Sequence, residues 1–267
     1  LDILMGATSK IVLIENQSTP GNPRFAKGKD FLYFGNNTKN LVNFDIGDLN
    51  GDGLYDIVVA YGRTEVFFQR EGKPYFRFEI GNAVFNDVQQ VQIADLNNDK
   101  RMDILLCGKD TTNHKGLLFL HNTVNNFSSG VLLNTNPTSS FFLTKVDENN
   151  PVSISALVTN SEGASIINYN HVSTGDTLTF KEYGKLFLSK QTPIIAMGEF
   201  NQNNTKDLLL GYDKPSPIKI RYDYIHDSTA TTVDLDSVGS VKAVYISDLN
   251  KDGADDIIVF TDKNAFL

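Results

Sequence analysis

Asp48, Asn50, Asp52 and Asp56 set oxygen-bearing side chains at positions 1, 3, 5 and 9 of the stretch Asp-Leu-Asn-Gly-Asp-Gly-Leu-Tyr-Asp. When a chain curls tightly, such alternate side chains and the main-chain carbonyl of position 7, here Leu54, can converge on one point. Gly53 at position 6 accepts the positive φ that the curl demands. Hard oxygen donors in this number suit Ca2+, which takes about six to eight oxygens at roughly 2.3–2.6 Å. Without a cation the three crowded carboxylates would repel one another. An EF-hand also needs flanking helices and a bidentate Glu at position 12, and here position 12 is Val59, inside an apolar run. Asp, Asn and Gly build ordinary tight turns as well, but a plain turn gains nothing from three neighbouring acids. The stretch reads as a nine-residue metal loop joining two strands.

The loop recurs. "ADLNNDKRMDILLCG" from Ala94, "GEFNQNNTKDLLLGY" from Gly198 and "SDLNKDGADDIIVFT" from Ser247 repeat it, and "TKVDENNPVSISALV" from Thr144 keeps its frame without the acids. "LDILMG" at the start matches the apolar tail and puts Asp2 where Asp56 stands. The last ligand position falls at residues 2, 56, 103, 153, 207 and 256, intervals of 54, 47, 50, 54 and 49 residues. A fixed period over nearly the whole chain marks a repeat architecture.

The elements between the loops read as strands. "LVNFDIG", "DIVVAYG", "TEVFFQRE" and "YFRFEIG" are short, rich in β-branched and aromatic residues, and separated by Gly, Asn, Asp and Lys. The order recurs in "VQQVQIAD", "MDILLCG", "GLLFLHN" and "VNNFSSGVLL", and again in "PIIAMGE", "DLLLGY", "IKIRYDYI" and "TTVDLDS". No helical period of 3.6 residues is sustained. The expected fold is all-β, a β-propeller of four-stranded antiparallel blades at about 50 residues each. Between five and six blades fit the chain, which reads as a single, incomplete propeller domain over residues 1–267. As part of a seven-bladed ring it would be completed by further blades or by a partner chain, since an open blade edge invites pairing.

The pattern Asp-x-Asn-x-Asp-Gly-x-x-Asp followed by apolar residues resembles the FG-GAP repeat, also called the VCBS-type repeat, of integrin α-subunit propellers and several lectins. The resemblance covers essentially the whole chain and implies calcium. Carried over, it gives a second full ligand set at Asp248, Asn250, Asp252, Asp256 and the Ala254 carbonyl. A third comprises Asp95, Asn97, Asp99, Asp103 and the Arg101 carbonyl, with Lys100 in place of the position-6 glycine. Glu199, Asn201, Asn203, Asp207 and the Thr205 carbonyl form a weaker fourth set with two formal charges. The Lys145 loop, with Asp147, Asn149 and Ser153, has a cation at the first ligand position and is expected to be metal-free. Three Ca2+ ions would offset six of the eight formal negative charges and brace the hairpins as structural ions.

The net charge of −8 and pI near 5.0 disfavour nucleic acid and anionic membrane as partners. The longest apolar runs, about five or six residues, fall far short of a membrane span. Asn16, Asn36, Asn126 and Asn203 head sequons that accept glycans in a secretory pathway. His114, His121, His171 and His226 share no zinc spacing, Cys107 ends an apolar strand, and the lipase, zincin and phosphate-loop motifs are absent. "GYDKPSP" around Pro215 reads as a connecting turn.

Two expectations follow from the resemblance. The first is a non-catalytic extracellular recognition or adhesion module, secreted or on the outer face of a membrane protein, with a protein ligand. The alternative is a lectin-like propeller, or an accessory domain of a carbohydrate-active enzyme, with a glycan ligand. The chain has 18 Phe and 10 Tyr but no Trp, which weighs against a Trp sugar platform.

Overall fold

The computed structural model describes residues 2–35, 42–80, 85, 87–109, 115–123, 126–127, 131–134, 137–144, 152–172, 179–191, 193–203, 205–213, 217–222, 232–235 and 239–266. All of its regular elements are β-strands. They fall into two compact units, Leu1–Phe141 with His171–Phe180, and Phe142–Asn170 with Lys181–Leu267.

In the first unit, β1 (Ile3–Gly6), β2 (Lys10–Ile14) and β3 (Lys29–Tyr33) make a three-stranded sheet. β4 (Asn43–Gly47), β5 (Asp56–Ala60), β6 (Thr64–Arg70) and β7 (Lys73–Glu79) form a four-stranded antiparallel meander. β8 (Asp87–Ala94), β9 (Asp103–Lys109) and β10 (Lys115–Leu120) begin the next one. Its fourth strand was expected over "VNNFSSGVLL", but that segment is divided. β11 (Asn122–Thr123) and β12 (Asn126–Phe127) pair with each other, and only β13 (Val131–Asn134) joins the sheet. Asn122 is the reason: its N–H goes to Asp103 and its amide to two carbonyls, which pulls the chain out of the sheet after Leu120.

β14 (Thr138–Thr144), β15 (Ser153–Asn160), β16 (Gly163–His171) and β17 (Phe180–Ser189) give another four-stranded sheet. β18 (Ile194–Gly198), β19 (Asp207–Gly211), β20 (Lys219–Arg221) and β21 (Thr232–Asp234) form a further one in the second unit. β22 (Val241–Ser247), β23 (Asp256–Thr261) and β24 (Ala265–Phe266) are a three-stranded sheet, also in the second unit.

The second strand of each meander explains why these segments read as continuous apolar runs. In β5, Ile57 and Val59 pack with Ile11, Leu32 and Phe34, while Val58 and Ala60 pack with Val88, Leu106 and Leu118. Side chains alternate between faces along a strand, so a strand sandwiched between two sheets needs apolar residues at every position. β19 repeats this, with Leu208 and Leu210 against Leu157 and Ile166, and Leu209 against Ile220 and Val241. Each such aliphatic side chain contributes about 1.5–3 kcal/mol when fully buried.

Sheets within a unit are also held by polar ties between their first strands. Asp45 on β4 accepts the Ile93 N–H of β8 at 2.7 Å, and the Asn43 amide donates to the Val88 carbonyl at 2.7 Å. Burial, against two donated N–H bonds, raises the Asp45 carboxyl above its ordinary range. Gly47 lets the strands approach: a β-carbon there would lie 2.9 Å from Ile93 Cγ2. Gly198 stands in the same relation to Ile246, at 2.8 Å.

Candidate metal centre

Each acidic loop spans the gap between the first and second strands of a sheet. Its base is closed by matched pairs, Gly47 with Asp56, Ala94 with Asp103, Gly198 with Asp207, and Ser247 with Asp256. Within the loop the side chains fold onto the backbone in one pattern. Asp48 accepts the N–H groups of Gly51, Asp52 and Gly53, Asn50 Oδ1 that of Asp52, and Asp52 Oδ1 that of Leu54. Asp248, Asn250 and Asp252 make the matching bonds to Asp252, Gly253 and Ala254. Asp95, Asn97 and Asp99 do so to Asp99, Lys100 and Arg101. In all three the Asn amide also donates to the position-5 Asp at 3.0 Å.

The curl puts positions 4 and 6 in the left-handed region. Gly51 and Gly53 have φ of 76° and 82°, Lys251 and Gly253 63° and 90°, and Asn98 and Lys100 63° and 68°. Gln202 at position 4 of the Glu199 loop has φ 59°. The requirement at position 6 was legible from Gly53; that at position 4 was not, because Gln202 and Lys251 carry no mark of it. Lys100 holds the curl without glycine, at a cost of about 1 kcal/mol. Lys100→Gly is therefore expected to raise the melting temperature by about 2–4 °C in a thermal scan; an unchanged or lower value would contradict the strain.

Position 9 is a staple between the loop and the sheet. In all four loops its carboxylate accepts the position-2 N–H, at 2.9 Å from Leu49, 3.1 Å from Leu96, 2.9 Å from Phe200 and 2.9 Å from Leu249. The other oxygen of Asp56 takes the Gln69 N–H and that of Asp103 the Asn122 N–H, both from the third strand or its end. Asp2 takes the Asn16 N–H in the same way, as its assignment as a loop remnant requires. Ser153 replaces the acid with a neutral pair to Asn170 on the adjacent strand. Asp56, Asp103 and Asp207 are fully buried. Burial raises the Asp56 carboxyl above its ordinary range, and the nearby charges of Asp52 and Asp48 add to it.

The donor sets fit calcium unequally. Among the described residues no Lys, Arg or His pairs with the acids of the 48–56 and 248–256 loops, which are met only by backbone N–H groups and one Asn amide each. In the 95–103 loop the protein supplies its own partners: the Arg101 guanidinium, whose Nη2 lies 2.6 Å from Asp99 Oδ2, and the His121 imidazole, whose Nδ1 lies 2.9 Å from Asp103. The sequence had assigned Arg101 a carbonyl only, and had not singled out His121 or Asn122 at this loop. In the weaker loop Glu199 accepts the Asn201 and Asn203 N–H groups, while Asn203 Oδ1 accepts the Thr205 N–H and hydroxyl. Among the described residues no three His, Cys, Asp or Glu side chains stand grouped to hold a metal as placed. Two of the five donors in each full set are an Asn and a main-chain carbonyl, and the carboxylates are turned onto N–H groups; Asp48 Oδ1 and Asp256 Oδ2 each accept two of them already.

The metal-free reading of the Lys145 loop concerns residues 145–150, which lie outside the described residues, as do Asn36, His114, His226 and the turn at 214–216. Cys107 is buried, and burial pushes its thiol up to about 12. His171 packs edge-on against Phe180. No helix of the described residues is long and apolar enough to cross a membrane.

Repeated antiparallel meanders, with an acidic nine-residue loop between first and second strands, define a propeller-type repeat scaffold. Residues 48–106 match the FG-GAP-like repeat family model, a span holding two of the full loops. Among solved structures the chain is similar to the exotype rhamnogalacturonan lyase YesX, with a TM-score of 0.51 and 11% identity, over 95% of this chain and 53% of that one. It thus spans about half the length of that enzyme chain, and the likeness is one of fold, the propeller type. Two structures of BBS1N in complex with ARL6DN, soaked with lead and with mercury, give TM-scores of 0.48 and 0.46 at 11% identity, each over 98% of this chain and 89% of that one. No curated protein matches the sequence.

Proposed function

We propose that the chain is a non-catalytic recognition and adhesion module of the secretory pathway, a scaffold braced by calcium that binds a protein partner. The observation that carries this reading is the common curl of the 48–56 and 248–256 loops, whose acids accept the same loop N–H groups and, among the described residues, pair with no Lys, Arg or His. A Ca2+ ion there would relieve the repulsion and lock the hairpin between the first two strands. The 95–103 loop binds more weakly, because Arg101 and His121 already occupy its acids. Exposed Asn16, Asn126 and Asn203 are available to glycosylation. A glycan-binding reading has behind it only a shared fold with a carbohydrate-active enzyme.

Ten times the dissociation constant of calcium stabilises a folded chain by about 1.4 kcal/mol per site. Three sites give about 4 kcal/mol and a melting shift on the order of 10 °C between calcium and EGTA. Asp48→Ala and Asp248→Ala should each remove part of that shift. A shift equal in both variants to that of the unaltered chain would place the metal elsewhere.

A further inference from the structure

Beside the 48–56 loop, the first unit holds a cavity of about 590 Å³. Phe68, Phe76 and Phe78 of β6 and β7 give it an aromatic lining, extended by Met102 and Phe127. The Phe68 and Phe76 rings stack at 6.5 Å with an interplanar angle of 22°, and Phe76 is 50% exposed. A half-exposed stacked phenylalanine at the edge of a cavity is an unfilled contact surface for another ring.

The polar groups of the lining decide what can enter. The Asn122 amide is used on the Leu49 and Met102 carbonyls, the Asn50 amide on Asp52, and the Thr123 hydroxyl on the Asn126 carbonyl. Both Asp48 oxygens accept loop N–H groups. A polyhydroxylated ligand needs several free directional partners, and leaving its hydroxyls unpaired in a cavity is costly. Arg101 gives its Nε to the Asn122 carbonyl and its Nη2 to Asp99, and Asn126 Oδ1 accepts the Phe127 N–H. Lys100 lines the cavity, is exposed, and among the described residues forms no ion pair.

We propose that this cavity is a recognition pocket for an aromatic side chain of a partner protein, with a carboxylate of the same partner segment meeting Lys100. The assignment rests on the protein-binding reading above and gives it a place and a chemistry. Calcium in the 48–56 loop would cover the one acid facing the cavity, Asp48, and so favours the acidic partner.

The test is an NMR titration of the isotopically labelled chain in saturating calcium with three probes: N-acetyl-phenylalanine, its amide, and galacturonate. N-acetyl-phenylalanine is expected to shift the Phe76, Lys100 and Met102 signals with a millimolar dissociation constant, as suits so small a ligand. It should bind about fivefold tighter than the amide, the upper end for an exposed ion pair. Phe76→Ala should weaken it about tenfold, and Lys100→Glu should abolish the preference for the acid. Galacturonate should leave these signals in place. Equal affinity for acid and amide, binding unaffected by Phe76→Ala, or shifts from galacturonate alone would each overturn the proposal. The calcium melting shift of the same samples separates the two readings. Probe binding without that shift would sink the metal reading and keep the pocket, and the shift without probe binding would do the reverse.

Discussion

Asp56→Ala is expected to destabilise the chain by about 2–4 kcal/mol even in EGTA, a loss that the metal reading alone would not produce. The carboxylate holds two N–H groups from different parts of the sheet, Leu49 at the loop and Gln69 on the third strand. Alanine leaves both without an acceptor, and each unsatisfied buried group costs about 1–3 kcal/mol. Asp56→Asn keeps one acceptor oxygen and should cost about 1–2 kcal/mol in EGTA. In calcium both variants should lose a further increment against the unaltered chain, because both remove a ligand charge, and the difference between them should persist. The folded-state carboxyl is raised, so its contribution to stability is fully present below the ordinary value of 3.8 and is lost as pH rises through the folded value. The metal-free chain should therefore lose stability with rising pH at this site, and calcium should offset the loss. Chemical denaturation at several pH values, with and without calcium, checks all of this; equal stability of Asp56→Ala and the unaltered chain in EGTA would refute the staple.

Glu65→Ala should cost about 2–3 kcal/mol and be insensitive to calcium. Glu65 on β6 is fully buried, yet it accepts from the Tyr61 hydroxyl and the Arg77 guanidinium, with Arg63 Nε at 3.2 Å. Tyr61 also reaches the Phe34 carbonyl at 3.3 Å, tying β5 to the chain after β3. Removing one member of a buried ion pair costs about 3–5 kcal/mol. The lower figure applies here because both arginines are 43% exposed and regain water. Tyr61→Phe should cost less than half as much, since Glu65 keeps its arginines. Melting temperatures of the two variants in calcium and in EGTA decide the matter, and a calcium-dependent loss in Glu65→Ala would contradict this assignment.

The repeat and its strands were legible because both rest on local patterns. The second strands are sandwiched, so "DIVVA" and "DLLLG" had to be apolar throughout. The curl favours glycine where Gly53 and Gly253 stand, and the alternating acids mark the same loops. What the sequence could not disclose depends on contacts from far along the chain. His121 and Asn122 read as the end of an ordinary strand, and only folding brings them to Asp103. Arg101 occupies a position where the pattern asks merely for a carbonyl, so its guanidinium on Asp99 left no trace. Phe68, Phe76 and Phe78 lie in "TEVFFQRE" and "YFRFEIG", which read as ordinary strands, and their arrangement along a cavity depends on the neighbouring sheet. Glu65 and Arg77 show no motif, since their pairing follows from the register of β6 on β7.

Isothermal calorimetry of calcium into the EGTA-stripped chain tests the central claim most directly. Two sites of similar affinity should titrate first, lost singly in Asp52→Ala and Asp252→Ala, with a weaker third that strengthens in Arg101→Ala. Absence of binding heat, together with a melting temperature indifferent to calcium, would contradict the account.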